Sequence, residues 1–182
     1  MARIIYNGTA YRTYGNLPPT GSRAPDLSLV NCEFQDVSLA EWLGKRKVLN
    51  IFPSVDTPVC GKSILVFDRL SADRDDIAML MVSCDLPFAH RRFKEQHSVQ
   101  RAVGLSAIRH EGFGQNYGVQ VVEGPLEGMF SRAVVVLDEN NTIVHGEQIE
   151  DVAGEPDYTA ACRALGIELD PAELAKMRQE NA

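Results

Sequence analysis

Four cysteines stand in the chain, at positions 32, 60, 84 and 162, and one of them sits where a thiol becomes a nucleophile. Cys60 closes the pattern Pro53-x-x-x-Thr57-x-x-Cys60. The apolar run 48–52 reads as a buried strand ended by Pro53. Thr57 fits a helix N-cap, Pro58 the first helical position, and an amphipathic run over 63–70 carries the helix on. Cys60 then lies in the first helical turn, where backbone N–H groups lack intrahelical partners and the helix dipole favours negative charge. A thiolate is stabilised in such a place, and its chemistry is nucleophilic attack. The alternative is an inert buried cysteine, the commoner state of a lone thiol. A helix start directly after a buried strand favours the reactive reading.

The elements that must position this sulfur follow from the pattern on either side. Residues 77–83 are almost wholly apolar and read as a second buried strand. Strand, helix and strand make a βαβ crossover with parallel pairing of 48–52 and 77–83. Both strands then end at one edge of the sheet, the carboxyl edge where open α/β sheets carry their sites. Cys84 closes the second strand, and Asp85 is predicted to cap a helix running from Leu86 to about His97. Upstream, β-prone runs 3–6 and 10–14 flank Asn7-Gly8, a two-residue hairpin signal. Residues 26–30 read as a strand, with Cys32 an exposed thiol in the polar turn after it. Ser38 and Glu41 resemble a capping box for a short helix through Leu43.

Downstream, 103–105 is a short strand, 111–117 a short helix stopped by Gly118, and 124–128 a turn-rich loop. The β-branched run 132–137 returns as a strand over 142–148. Pro156 is placed at the first position of a helix whose apolar face holds Tyr158, Cys162 and Leu165, which makes Cys162 a core residue. A last helix, 172–179 after Asp170-Pro171, is expected to be peripheral.

Composition narrows the function classes. A chain of 182 residues suits one domain with a substantial core. The net charge of −7 and pI near 5.1 argue against nucleic acid or an anionic membrane as partner. Neither the first eight residues nor any later stretch is apolar enough for a signal peptide or a bilayer span, so a cytoplasmic location is expected. The cysteines show no metal-like spacing and no C-x-x-C pair. In a reducing compartment they are thiols at rest, and any disulfide is transient. His90 and His97 share a helix face but lack a third ligand at a suggestive spacing, so they are read as solvent-facing. No metal and no cofactor are expected.

The pattern around Cys60 resembles the active-site signature of the peroxiredoxins. The longer segment Gly44-Lys45-Arg46-Lys47-Val48-Leu49-Asn50-Ile51-Phe52-Pro53-Ser54-Val55-Asp56-Thr57 is similar to the thiol peroxidase subfamily in particular. So are Asp85-Leu86-Pro87-Phe88-Ala89 with Arg92-Phe93, and Gly124-Pro125-Leu126 with Ser131-Arg132-Ala133-Val134-Val135-Val136. The resemblance runs to about Leu165. It implies an α/β, thioredoxin-like fold, a central mixed sheet flanked by helices with an N-terminal β-hairpin. The expected organisation is a single domain over 1–182, with the hairpin in 1–16 and a peripheral helix in 168–182.

It also implies roles. Cys60 is the attacking thiol, Thr57 places a hydroxyl beside the sulfur, and Pro53 shields the site from water. Backbone N–H groups at Val59 and Cys60 are candidate donors to the leaving oxygen. Arg132, which opens an apolar strand, matches the arginine that contacts the sulfur in this family. One departure stands out. The family's resolving cysteine follows the Arg-Phe pair, and here Lys94 holds that place, leaving Cys84 as the candidate resolving residue within the chain. The expected function is a thiol-dependent peroxidase acting on hydrogen peroxide and organic hydroperoxides, with thioredoxin or a low-molecular-weight thiol as reductant. The rival is a peroxide-sensing switch with little turnover. A homodimer is expected from the resemblance and from Leu126, Met129 and Phe130 in one loop.

Overall fold

A computed structural model describes residues 1–110 and 112–180 of the chain. In chain order it holds β1 (Arg3–Tyr6), β2 (Thr9–Arg12), β3 (Leu29–Val30), β4 (Asp36–Val37), a 3-10 helix (Leu39–Trp42), β5 (Arg46–Ile51), α1 (Pro58–Leu70) and β6 (Ile77–Ser83). There follow α2 (Pro87–Gln96), β7 (Val103–Ser106), α3 (Gly112–Asn116), β8 (Ala133–Leu137), β9 (Ile143–Gln148), α4 (Tyr158–Ala164) and α5 (Pro171–Glu180). Glu111, at the head of the expected 111–117 helix, lies outside the described residues. Among those described, no helix is long and apolar enough to cross a membrane.

The main sheet has the order β4-β3-β7-β6-β5-β8-β9. As the βαβ reading requires, β5 and β6 run parallel, with Val48 beside Met79 and Ile51 beside Val82. On its other side β5 pairs with the antiparallel β8, where Ile51 faces Ala133. The fold is thus the expected mixed sheet flanked by helices. The hairpin β1–β2 stands apart, turned by Asn7 and Gly8, both at positive φ, the backbone that a two-residue turn of this kind demands.

Both faces of the sheet are covered, which is why its central strands read as continuous apolar runs instead of alternating ones. With a period of two, Val48, Met79, Val134 and Val136 go to the face covered by α1, α4 and α5. Leu49, Ile51, Leu80, Val82 and Val135 go to the other, against Leu39, Phe113 and Tyr117. Several local readings are corrected here. The strand expected over 26–30 shrinks to Leu29–Val30. Pro156 precedes α4 without starting it, because Asp157 is the N-cap and its side chain accepts from the Ala160 N–H. Phe130 is buried against Phe113, so of the three loop residues read as interface Met129 is exposed and Leu126 partly so.

The last helix is tied to α1. Met177 is buried in the same cluster as Ile64 and Phe67 of α1. Glu155 joins Lys62 of α1 and Arg178 of α5 at 3.0 Å each, and Arg69 pairs with Glu180. Met177→Ala is expected to destabilise the protein by about 2–5 kcal/mol, the range for emptying a buried methionine site. Urea unfolding checks this, and a loss below about 0.5 kcal/mol would mean that α5 does not seal the core.

Candidate active site

The chain leaving β5 turns sharply at Pro53, which is buried, and enters α1 with Thr57 as N-cap and Pro58 in the first turn. The first bond shown inside α1 runs from the Gly61 N–H to the Thr57 carbonyl at 3.0 Å. The N–H groups of Val59 and Cys60 lie ahead of it and have no helical carbonyl to reach. Thr57 does not cap through its side chain; its hydroxyl donates to the Ser54 carbonyl at 3.3 Å. Cys60 is fully buried in that first turn. Beside it, Gly61 lets α2 close on the helix start, since a Cβ there would meet the Phe93 ring at 3.1 Å.

Arg132 comes to this sulfur from 72 residues away in sequence. It immediately precedes β8, and the Ile51–Ala133 pair sets it level with the chain leaving β5. Its Nη2 lies 3.2 Å from Cys60 Sγ, and Nε and Nη2 donate to the Val152 carbonyl at 3.2 and 3.1 Å. The side chain is 1% exposed, and its Nη1 has no hydrogen-bond partner among the described residues. A cavity of about 400 Å³ opens beside Arg132 and the head of α1, with Cys60 itself buried behind its lining. Pro53, Thr57, Val59, Leu126, Met129 and Arg132 line it, joined by Tyr6 from the hairpin and Val152 from the loop after β9. The structure therefore brings Pro53, Thr57, Cys60 and Arg132 together. Tyr6 and Val152 are contributions that no local pattern announced. Such a cavity can hold a small apolar molecule with one polar end toward the Arg132 guanidinium and the Thr57 hydroxyl.

The other cysteines are placed differently. Cys84 is half-buried and donates to the Gly128 carbonyl at 3.5 Å. Burial, aided by the Asp85 carboxylate, pushes its thiol up to about 11. Cys162 is buried on α4 as expected, and burial pushes it up to about 11 as well. Cys32 is not the exposed thiol of the sequence reading: it is buried, with Sγ 3.9 Å from the Gly104 carbonyl, and burial raises its pKa against the pull of Lys94. Lys94 shares a surface pocket with Cys32, away from the cavity beside Arg132.

Two further readings change. Asp85 does not cap α2; Leu86 does, without a side-chain bond. The Asp85 carboxylate instead reaches the β5–α1 loop, accepting from Ser54 Oγ at 2.8 Å and from the Val55 N–H at 2.8 Å. Of the two histidines read as solvent-facing, His97 is exposed but His90 is fully buried, with Nε2 3.0 Å from Ser83 Oγ. Gly104 makes the room, because a Cβ there would sit 2.7 Å from that of His90.

Comparisons with known proteins agree with this geometry. A family model described as Redoxin matches residues 19–162. The thiol peroxidase of Mycobacterium bovis is 41% identical over 166 residues, which are 91% of this chain and 99% of that protein. Among solved structures, a peroxiredoxin-like protein from Aquifex aeolicus superposes with a TM-score of 0.83 at 26% identity, covering 96% of each chain. A thiol peroxidase from Chromobacterium violaceum gives 0.83 at 23% identity, covering 90% of this chain and 95% of its own, a likeness of fold.

Burial pushes the His90 pKa down to about 4, against the partial opposition of Asp85. Between pH of about 6.5 and 4 the unfolded chain binds a proton that native His90 does not. Stability therefore falls as pH drops through that window, by about 3 kcal/mol at most from this group. In His90→Gln that part of the decline should vanish, so urea unfolding profiles of the two proteins converge toward pH 4. Parallel profiles would show that His90 titrates normally.

Proposed function

The chain belongs to the Redoxin family and is a thiol-dependent peroxidase, and from that premise we propose that Cys60 is the thiol that attacks the peroxide. The observation that carries the assignment is the Arg132 Nη2 contact with Cys60 Sγ at 3.2 Å, made by a guanidinium that also lines a cavity. In the reaction, the Cys60 thiolate attacks the terminal oxygen of a hydroperoxide in line with the O–O bond. That bond breaks, the departing oxygen takes a proton and leaves as water or alcohol, and Cys60 becomes a sulfenic acid. Thr57 Oγ1 already donates to Ser54, which leaves its lone pairs for the peroxide O–H. The unpartnered Nη1 of Arg132 and the N–H groups at the head of α1 are donors for the oxygen on which charge develops. Pro53 forms the wall that keeps bulk water from the sulfur.

The reductant closes the cycle. One thiol attacks the sulfenic acid, giving a mixed disulfide and water, and a second releases Cys60 and leaves as a disulfide. Two features support a cycle with one cysteine of this chain. Lys94 stands where the resolving cysteine of the family is expected, and Cys84 is held neutral, bonded to Gly128. Thioredoxin or a low-molecular-weight thiol then serves as donor, and hydrogen peroxide and organic hydroperoxides as substrates, in the cytoplasm. The exposed Met129, with Leu126 at the rim of the cavity, supports a homodimer formed at this edge. The switch reading is not favoured, since the relative with 41% identity is named a thiol peroxidase.

Cys60→Ser is expected to abolish peroxide consumption and Cys162→Ser to leave it nearly intact. Arg132→Ala should slow single-turnover oxidation by ~10²-fold or more, the scale for removing one preorganised donor. An unchanged rate would leave Arg132 a structural residue only. For the second half of the cycle, Cys84→Ser with excess donor thiol should turn over as the parent does. Collapse to a single turnover would instead name Cys84 as the resolving residue.

A further inference from the structure

The loop between β5 and α1 carries the chemistry yet has little backbone support of its own. Phe52 donates to the Val82 carbonyl at 3.1 Å, and the next backbone bond is Thr57 to Ser54 at 3.3 Å. Between them the loop is held by one carboxylate from the neighbouring strand end. Asp85 Oδ1 accepts from Ser54 Oγ at 2.8 Å, and Oδ2 accepts from the Val55 N–H at 2.8 Å and from Ser83 Oγ at 2.7 Å. Ser54 Oγ in turn accepts from the Asp56 N–H at 3.2 Å, which extends the tie toward Thr57.

Asp85 is itself fixed from behind. Its N–H donates to Ser83 Oγ at 3.1 Å, and its carbonyl accepts from Ser106 Oγ on β7. Ser83 Oγ is also 3.0 Å from Nε2 of His90, which packs into the space left by Gly104. Three adjacent parallel strands, β5, β6 and β7, thus meet at their carboxyl edge through one residue, β7 through its carbonyl and the others through its carboxylate. Asp85 is not among the residues that line the cavity beside Arg132, whereas Pro53, Ser54 and Thr57 are.

We propose that Asp85 is a positioning residue for peroxide reduction, holding Pro53, Ser54 and Thr57 at the spacing from Cys60 that an in-line hydroperoxide needs. The inference rests on the assignment of Cys60 as the attacking thiol. What matters is the shape of the hydrogen bonding. An asparagine can keep its oxygen on Val55 N–H and Ser83 and turn its amide to Ser54 Oγ, whose hydroxyl can reverse. Alanine can do neither, and displacements of about 1 Å in a reacting geometry cost up to ~10²-fold in rate.

The test is single-turnover oxidation by stopped flow, with Cys60 oxidation confirmed by peptide mass spectrometry and folding confirmed by circular dichroism. Asp85→Ala is expected to slow oxidation about tenfold or more, and Asp85→Asn to restore it to within about threefold of the parent, a recovery that hydrogen-bond geometry alone provides. A folded Asp85→Ala with the parent's rate overturns the proposal. So does an Asp85→Asn as slow as alanine, which would assign the effect to charge. Should Asp85→Ala not fold, Ser54→Ala removes the Oδ1 tie and the Asp56 N–H bond that extends it, leaves the Oδ2 bonds in place, and must still slow oxidation about threefold; no slowing overturns the proposal equally. Absence of oxidation at Cys60 in the parent protein would instead defeat the Cys60 assignment, a separate result.

Discussion

A guanidinium that is 1% exposed at the end of an apolar strand is the constraint around which the site is built. Removing such a charge from water costs several kcal/mol unless hydrogen bonds compensate it. Arg132 meets that demand with one carbonyl, which takes two of its N–H groups, and with the sulfur of Cys60. The carbonyl belongs to Val152, so the loop after β9 must be held in place for the arginine to be held. That loop is fastened by the hairpin: the Ile5 N–H donates to Glu150 at 2.7 Å and the Val152 N–H to Ile5 at 3.0 Å. The N-terminal hairpin, remote in sequence, is therefore part of the support for the guanidinium.

The sheet order does the remaining work. Because β5 and β6 run parallel and adjacent, their following loops leave from one edge, and Asp85 after β6 meets Ser54 and Val55 after β5. Because β8 runs antiparallel on the far side of β5, its first residues arrive at the same edge, and Arg132 with them. One edge thus collects a helix start, a cation and an anchoring carboxylate from three segments far apart in sequence. The same architecture separates the four thiols. Burial pushes the Cys32, Cys84 and Cys162 thiols upward, Cys32 against the pull of Lys94 and Arg91, and the Arg132 guanidinium lies against the sulfur of Cys60.

Local pattern made much of this legible. The apolar run 77–83 matches β6 to the residue, and Thr57-Pro58 marked the start of α1 because cap and first-turn preferences are local properties of the backbone. Arg132 was different. A cation before an apolar strand reads the same whether it faces water or a sulfur, and only the resemblance singled it out. Asp85 and His90 were misread for a related reason. An aspartate ahead of Pro87 suits an N-cap, and a helical histidine among charged residues suits a solvent face. Their actual partners, Ser54, Val55 and Ser83, are fixed by strand pairing. Cys32 followed the same course: its burial depends on Gly104 and on α2 closing over it, neither of which is near it in sequence.

The assignment of Cys60 requires that one sulfur of the four is the peroxide's target. The direct measurement is to give the fully reduced protein one equivalent of hydroperoxide in the presence of a carbon nucleophile that captures sulfenic acids, and to map the adduct by peptide mass spectrometry. The account predicts a single adduct on Cys60, with Cys32, Cys84 and Cys162 recovered as thiols. Capture first at any of those three, with Cys60 still reduced, would contradict it.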